Sequence, residues 1–189
     1  MNIARMFEAL YWAWIASEFL LQVVTRTSRN GGEVKDRGSL LLLVSVIFIS
    51  IWAAKWYGDT HARTMLGGAR WLGTAAVALL ATGLAIRWTA IFTLGRSFST
   101  NVAIHATQTL HKTGLFRWMR HPSYTGMLLC FLAVGTYERN WVSVAIMLMF
   151  PTAALLYRIH VEEIALTGAF GEDYVEYCKV TKRLVPGIY

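Results

Sequence analysis

Charge is scarce in this chain. Asp, Glu, Lys and Arg make up 15% of its 189 residues, while 56% are hydrophobic. A soluble domain runs to about 25% charged residues overall. That deficit excludes an ordinary soluble enzyme, a disordered chain and a nucleic-acid reader, although a net charge of +7 taken alone would suggest a polyanionic partner. Cysteine is scarce too: Cys130 and Cys178 are its two instances, neither in a CxxC nor at Cys/His ligand spacing. No disulfide scaffold or structural zinc site is expected. His61, His105, His111 and His160 form no ligand pattern, so no metal is expected either. GxSxG, P-loop and GxGxxG motifs are missing, which removes hydrolase, ATPase and Rossmann readings. Without repeats, low-complexity stretches or Gly/Ser linkers, residues 1–189 read as a single domain.

What is present is long apolar runs, enough for about five membrane helices of ~20 residues. The predicted fold is an all-α, polytopic transmembrane bundle. Its spans run from about Ile3 to Val24, Ser39 to Tyr57, Ala69 to Leu94, Tyr124 to Tyr137 and Trp141 to Tyr157. Residues 1–68 supply two N-terminal spans and 69–189 the core that carries the chemistry. The first run lacks a small-residue cleavage site and reads as a retained helix. Only Glu138-Arg139-Asn140 separates the last two spans, which forces a helical hairpin. Pro122 and Ser123 should open its first arm, and Pro151 should bend its second. Tyr11, Trp12, Trp14, Trp52, Trp56, Trp71, Trp88 and Trp141 are candidate interfacial anchors.

Twelve Lys and Arg fall in the first loop, the third loop and the tail, whereas Arg5, Arg63, Arg70 and Arg139 make four on the other side. The positive-inside rule then places the N-terminus outside and the third loop and tail in the cytoplasm. Ionisable groups within spans are costly in lipid and mark functional sites by default. Glu8 and Lys55 lie near span ends, where they can snorkel. Glu18 can pair within the bundle. Arg87 either meets a lipid head group or braces the third loop.

Polar residues concentrate in two blocks, Thr113 to Gly126 and Arg158 to Tyr174, which the hairpin returns to one edge of the bundle. His121 and Tyr124 should therefore lie near Arg158, Glu162 and Glu163. Arg158 and Glu162, at i and i+4, share a helix face. They form either an ordinary ion pair worth a few tenths of a kcal/mol or a division of labour. In the second case the guanidinium holds an anionic substrate and the carboxylate a cationic cofactor group. His121 precedes a proline at a helix start, where a cap or turn residue is common.

The ordered set of motifs resembles the isoprenylcysteine carboxyl methyltransferase family. The resemblance rests on Arg120-His-Pro-Ser-Tyr-Thr-Gly126, then Glu162-Glu163 after a hydrophobic hairpin. It extends to Arg87-Trp-Thr-Ala, Leu94-Gly95 and Gly114-Leu-Phe116, and to Phe170-Gly171, Tyr174, Tyr177, Arg183 and Pro186. It implies an integral membrane enzyme using S-adenosylmethionine, with the loop and tail folded over the cofactor. Carried over by position, the cofactor would contact Asn101, Gln108, Thr109, Leu110, His111, Phe116, His121, Pro122, Tyr124 and Glu162. Arg158 would face the carboxylate of a lipidated cysteine, a substrate with an isoprenyl or acyl tail. Phe116 stands where the eukaryotic pattern has Tyr, keeping a ring able to stack on adenine. The eukaryotic pattern also has a longer acidic run where this chain has Ile-His-Val and two Glu. Phospholipid amine and small thiol methyltransferases share parts of the signature, as would a non-enzymatic lipid-binding protein on the same scaffold.

Overall fold

A computed structural model describes residues 2–27, 33–36, 38–61, 66, 70–99, 102–104 and 109–189. Five long helices run alternately between the two ends of a bundle: α1 (Ile3–Thr27), α2 (Gly38–Thr60), α3 (Arg70–Leu94), α4 (Pro122–Tyr137) and α5 (Trp141–Phe170). A short α6 (Glu172–Val180) follows. Three of them, α2, α3 from Trp71 and α5, are long and apolar enough to cross a membrane by length and composition. Their outer surfaces carry exposed Leu41, Phe48, Ile49, Phe92 and Met149, a belt that water would not support but hydrocarbon does.

The observed elements extend the expected ones. Pro122 does open α4, at a position where its missing N–H costs nothing. The second hairpin arm does not end at Tyr157. It continues through Pro151 to Phe170, so Arg158, Glu162 and Glu163 stand on the same helix as the span. Asn140 caps that helix, its side chain accepting from the Val142 N–H at 3.0 Å while donating to the His61 carbonyl. Trp14 is no interfacial anchor: it is 1% exposed, inside the bundle, because α1 turns that face to the core. Among the described residues the departure from an all-helical fold is a small antiparallel ribbon. It pairs β1 (Glu33–Asp36) with β2 (Val102–Ile104) and so ties the first loop to the third at one end of the bundle.

α3 and α4 form the most intimate contact. Gly83 and Gly126 face each other so closely that a Cβ on Gly126 would lie 2.5 Å from the Gly83 carbonyl oxygen and 2.8 Å from the Arg87 nitrogen. Small residues permit such backbone approach between membrane helices. α1 packs on α3, and α2 on α5. At Gly171 the chain takes φ 53° between α5 and α6, a left-handed corner that glycine adopts without steric cost. The tail then returns to the start of α4: the Arg120 and His121 N–H groups donate to the Lys182 and Arg183 carbonyls at 2.8 and 3.0 Å.

Candidate functional site

The ribbon end of the bundle holds a cavity of about 670 Å³. Its lining changes character along its length. One part is polar and aromatic, with Thr109, Leu110, His111, Phe116, His121, Pro122, Tyr124, Glu162, Tyr174 and Tyr177. The other is largely apolar and comes mainly from α1 and α2, with Ile15, Phe19, Leu43, Val44, Ile47 and Ile51 beside Glu18 and Gln22. Arg158 lies on the same wall as Tyr124 and Glu162. Asn101 and Gln108, two of the expected cofactor contacts, lie outside the described residues.

Arg158 and Glu162 do not simply pair across one helical turn. Arg158 Nε donates to the Tyr124 hydroxyl at 3.0 Å, and that hydroxyl donates to Glu162 Oε2 at 2.8 Å. Arg158 Nη1 also donates to Ser39 Oγ at 3.0 Å. With Arg158 3% exposed, its guanidinium is held in one orientation by two helices other than its own. A phenol that accepts from a cation and donates to an anion relays polarity between them, which strengthens both bonds in a low-dielectric setting.

His121 occupies the cap position of α4 without capping it. Its ring instead lies between two carboxylates, Nδ1 3.9 Å from Glu162 Oε2 and Nε2 3.4 Å from Glu163 Oε1, and stacks near Tyr124. Glu163 also accepts from Arg120 Nε at 3.0 Å and Arg183 Nη2 at 2.7 Å. It thereby joins the Arg-His-Pro block to the tail. The charge of Glu163 and the hydroxyl of Tyr189 raise the Arg183 pKa further above its ordinary value. Tyr177 donates to the Phe116 carbonyl, and burial pushes its phenol up to about 12 against the lowering effect of Arg120.

The open question at Arg87 has a geometric answer. Its Nε and Nη2 reach both oxygens of Glu18 on α1, the latter at 2.6 Å, and Nη1 donates to Ser123 Oγ at 2.7 Å. Arg87 braces α1 and the start of α4. The sequence predicts Ser123 at the opening of α4 but not its bond to Arg87, and Ser39 does not stand out at all, because a serine at the edge of an apolar run carries no periodic signal. Among the described residues no three His, Cys, Asp or Glu side chains converge as a metal site would require.

Residues 76–168 match the model of the isoprenylcysteine carboxyl methyltransferase (ICMT) family. The chain is 32% identical over 130 residues to the protein-S-isoprenylcysteine O-methyltransferase of Rattus norvegicus. Over that segment the chain is similar to the isoprenylcysteine carboxyl methyltransferase family. It is also 32% identical over 118 residues to protein-S-isoprenylcysteine O-methyltransferase A of Arabidopsis thaliana. These alignments take in 62% and 61% of this chain but 42% and 60% of the respective relatives, so the chain spans less than two thirds of either. A solved eukaryotic intramembrane Ras methyltransferase, ICMT, superposes with a TM-score of 0.75 at 21% identity, covering 98% of this chain and 67% of that one. That likeness establishes the fold. The segment matched by the family model carries Arg87, His121, Tyr124, Arg158, Glu162 and Glu163. Glu18 and Ser39, which hold the two buried arginines, lie outside it.

Proposed function

We propose that this membrane protein transfers a methyl group from S-adenosylmethionine to the carboxylate of a lipidated cysteine or a similar amphipathic acid. The observation that carries the reading is the Arg158–Tyr124–Glu162 chain of hydrogen bonds, set in one cavity with a polar part and an apolar part. Two ligands of opposite character would meet there.

The polar part suits the cofactor by chemistry. Glu162 offers a carboxylate to a cation, Phe116 and Tyr177 offer ring faces, and His111 and Thr109 offer polar groups beside them. Pro122 and His121 would complete the wall, with Leu110 beside them. When bound, S-adenosylmethionine supplies a methyl group made electrophilic by its sulfonium. Arg158 would orient the acceptor carboxylate, a task for which a guanidinium fork is better shaped than an ammonium. A carboxylate is already deprotonated at neutral pH, so no side chain has to accept a proton from it. The contribution of the chain is alignment of the reactants and exclusion of water from two charges that neutralise each other.

The apolar part would take the lipid tail. α1 and α2 are fastened to different partners, α3 and α5, and Phe19 and Phe48 line the cavity while remaining exposed outward. A tail would enter sideways between them from the bilayer as the cofactor enters from water. In this reading all five long helices cross the membrane, the N-terminus lies outside, and the ribbon end with its excess of Lys and Arg faces the cytoplasm. Calorimetric titration of S-adenosylhomocysteine into detergent-solubilised protein tests the cofactor assignment. Binding to the wild type, weakened at least tenfold in Glu162→Ala, is expected; no heat with folded wild type would refute it.

A further inference from the structure

The apolar part of the cavity has a definite end. The lining residues farthest along α1, α2 and α4 from the ribbon end are Trp14, Ile51 and Met127. Along α2 the wall from Leu40 to Ile51 extends roughly 16 Å at ~1.5 Å per residue. Beyond it the bundle is filled by aromatic rings. Trp14 meets Phe131 edge-on, with centroids 5.9 Å apart and planes at 60°, and Tyr11 at 6.2 Å. Further on, Phe7 stacks on Tyr137 at 3.8 Å. Trp14 and Phe131 are 1% and 0% exposed.

The indole is fixed rather than merely packed. Its Nε1–H donates to Glu18 Oε1 at 3.2 Å, and Glu18 is itself held by both ends of the Arg87 fork. A large rigid side chain, pinned at its polar edge and backed by another ring, is what a closed end requires. Removing it would join the cavity to the space that it fills, since protein interiors close such gaps only in part.

We infer that Trp14 is the floor of the lipid-tail pocket and sets the longest tail that the site accepts. The inference rests on the reading of the apolar part as a tail site, and it assigns a specificity-determining role to a residue outside the segment that the family model matches. One isoprene unit adds several carbons. A pocket wall discriminates even single methylenes by about tenfold or more, so the length dependence should be steep.

The test measures binding and methylation of geranyl-, farnesyl- and geranylgeranyl-cysteine analogues. Binding is read as the thermal shift of detergent-solubilised protein, independently of turnover. In Trp14→Ala the preference for geranylgeranyl over farnesyl should rise at least tenfold in both readouts. Trp14→Phe keeps the floor and loses the bond to Glu18, so its length profile should match the wild type. Ile51→Trp narrows the same end from the opposite wall and should disfavour the longest tail, which keeps the idea testable if Trp14→Ala fails to fold. Unchanged length profiles in Trp14→Ala and Ile51→Trp would overturn the inference, as would a shift in Trp14→Phe equal to that in Trp14→Ala. Failure of wild type to bind or methylate any of the three analogues would overturn the tail-site reading itself.

Discussion

Arg158 Nε and the Tyr124 hydroxyl lie 3.0 Å apart, across two helices whose residues are 34 positions apart in sequence. The hydroxyl passes the interaction on to Glu162. Removing it in Tyr124→Phe leaves the ring wall intact but uncouples the groups proposed to hold acceptor and cofactor. A lost hydrogen bond to a charged group costs about 1.5–3 kcal/mol. We expect kcat/KM to fall at least tenfold, with the melting temperature lowered by only several degrees and the protein still folded. Steady-state kinetics beside thermal unfolding checks this, and an unaltered kcat/KM contradicts the coupling.

Gly126, in the motif block, has a packing reason for its identity. In Gly126→Ala the methyl group would meet the Gly83 carbonyl oxygen and the Arg87 backbone, neither of which is a flexible side-chain end. Overpacking of this kind costs about 1–3 kcal/mol. A lower melting temperature in detergent is expected, with Gly168→Ala, where nothing lies within 4 Å, as the unperturbed comparison.

Glu163 should hold the tail in place. Glu163→Gln leaves Arg120 and Arg183 without their shared carboxylate. Breaking a buried ion pair costs about 3–5 kcal/mol, and the partial exposure of Arg183 puts this case near the lower end. Limited trypsin digestion should cut faster at Lys179 and Lys182 in the variant. Equal cleavage rates would show that the tail is held by other bonds.

Alkaline pH should loosen the packing of α6. The Tyr177 phenol is raised from 10.0 to about 12, chiefly by burial, and Tyr174 is raised as well. The native state favours the neutral phenol, so its contribution is complete below pH 10 and is lost as pH rises toward about 12. Melting temperatures across this range should decline less in Tyr177→Phe than in the wild type. Parallel declines would contradict the assignment.

Much of this arrangement was legible in the sequence, and for identifiable reasons. Spans announce themselves by apolar length, the hairpin by its three-residue connection, and the start of α4 by Pro122. The meeting of His121 and Tyr124 with Glu162 follows from that hairpin. The pairings Glu18–Arg87 and Ser39–Arg158 are another matter. They join residues 69 and 119 positions apart, and nothing local in α1 or α2 specifies which helix each will face. The β1–β2 ribbon is equally silent, since strands of four and three residues show no alternation long enough to read. Trp14 shows the same limit. Aromatic residues populate both the membrane interface and the core, and only packing tells the two apart.

The central claim, that one cavity brings a lipidated carboxylate to a methyl donor with Arg158 holding the carboxylate, is tested most directly by methyl transfer. Purified protein in lipid nanodiscs is given S-adenosylmethionine labelled on its methyl group and an S-farnesyl-cysteine analogue, and label in the ester is counted for wild type and Arg158→Ala. The account predicts transfer by the wild type and a loss of about a hundredfold or more in the variant, the scale set by losing a charge-assisted fork on a buried carboxylate. Equal transfer by the two proteins would contradict it.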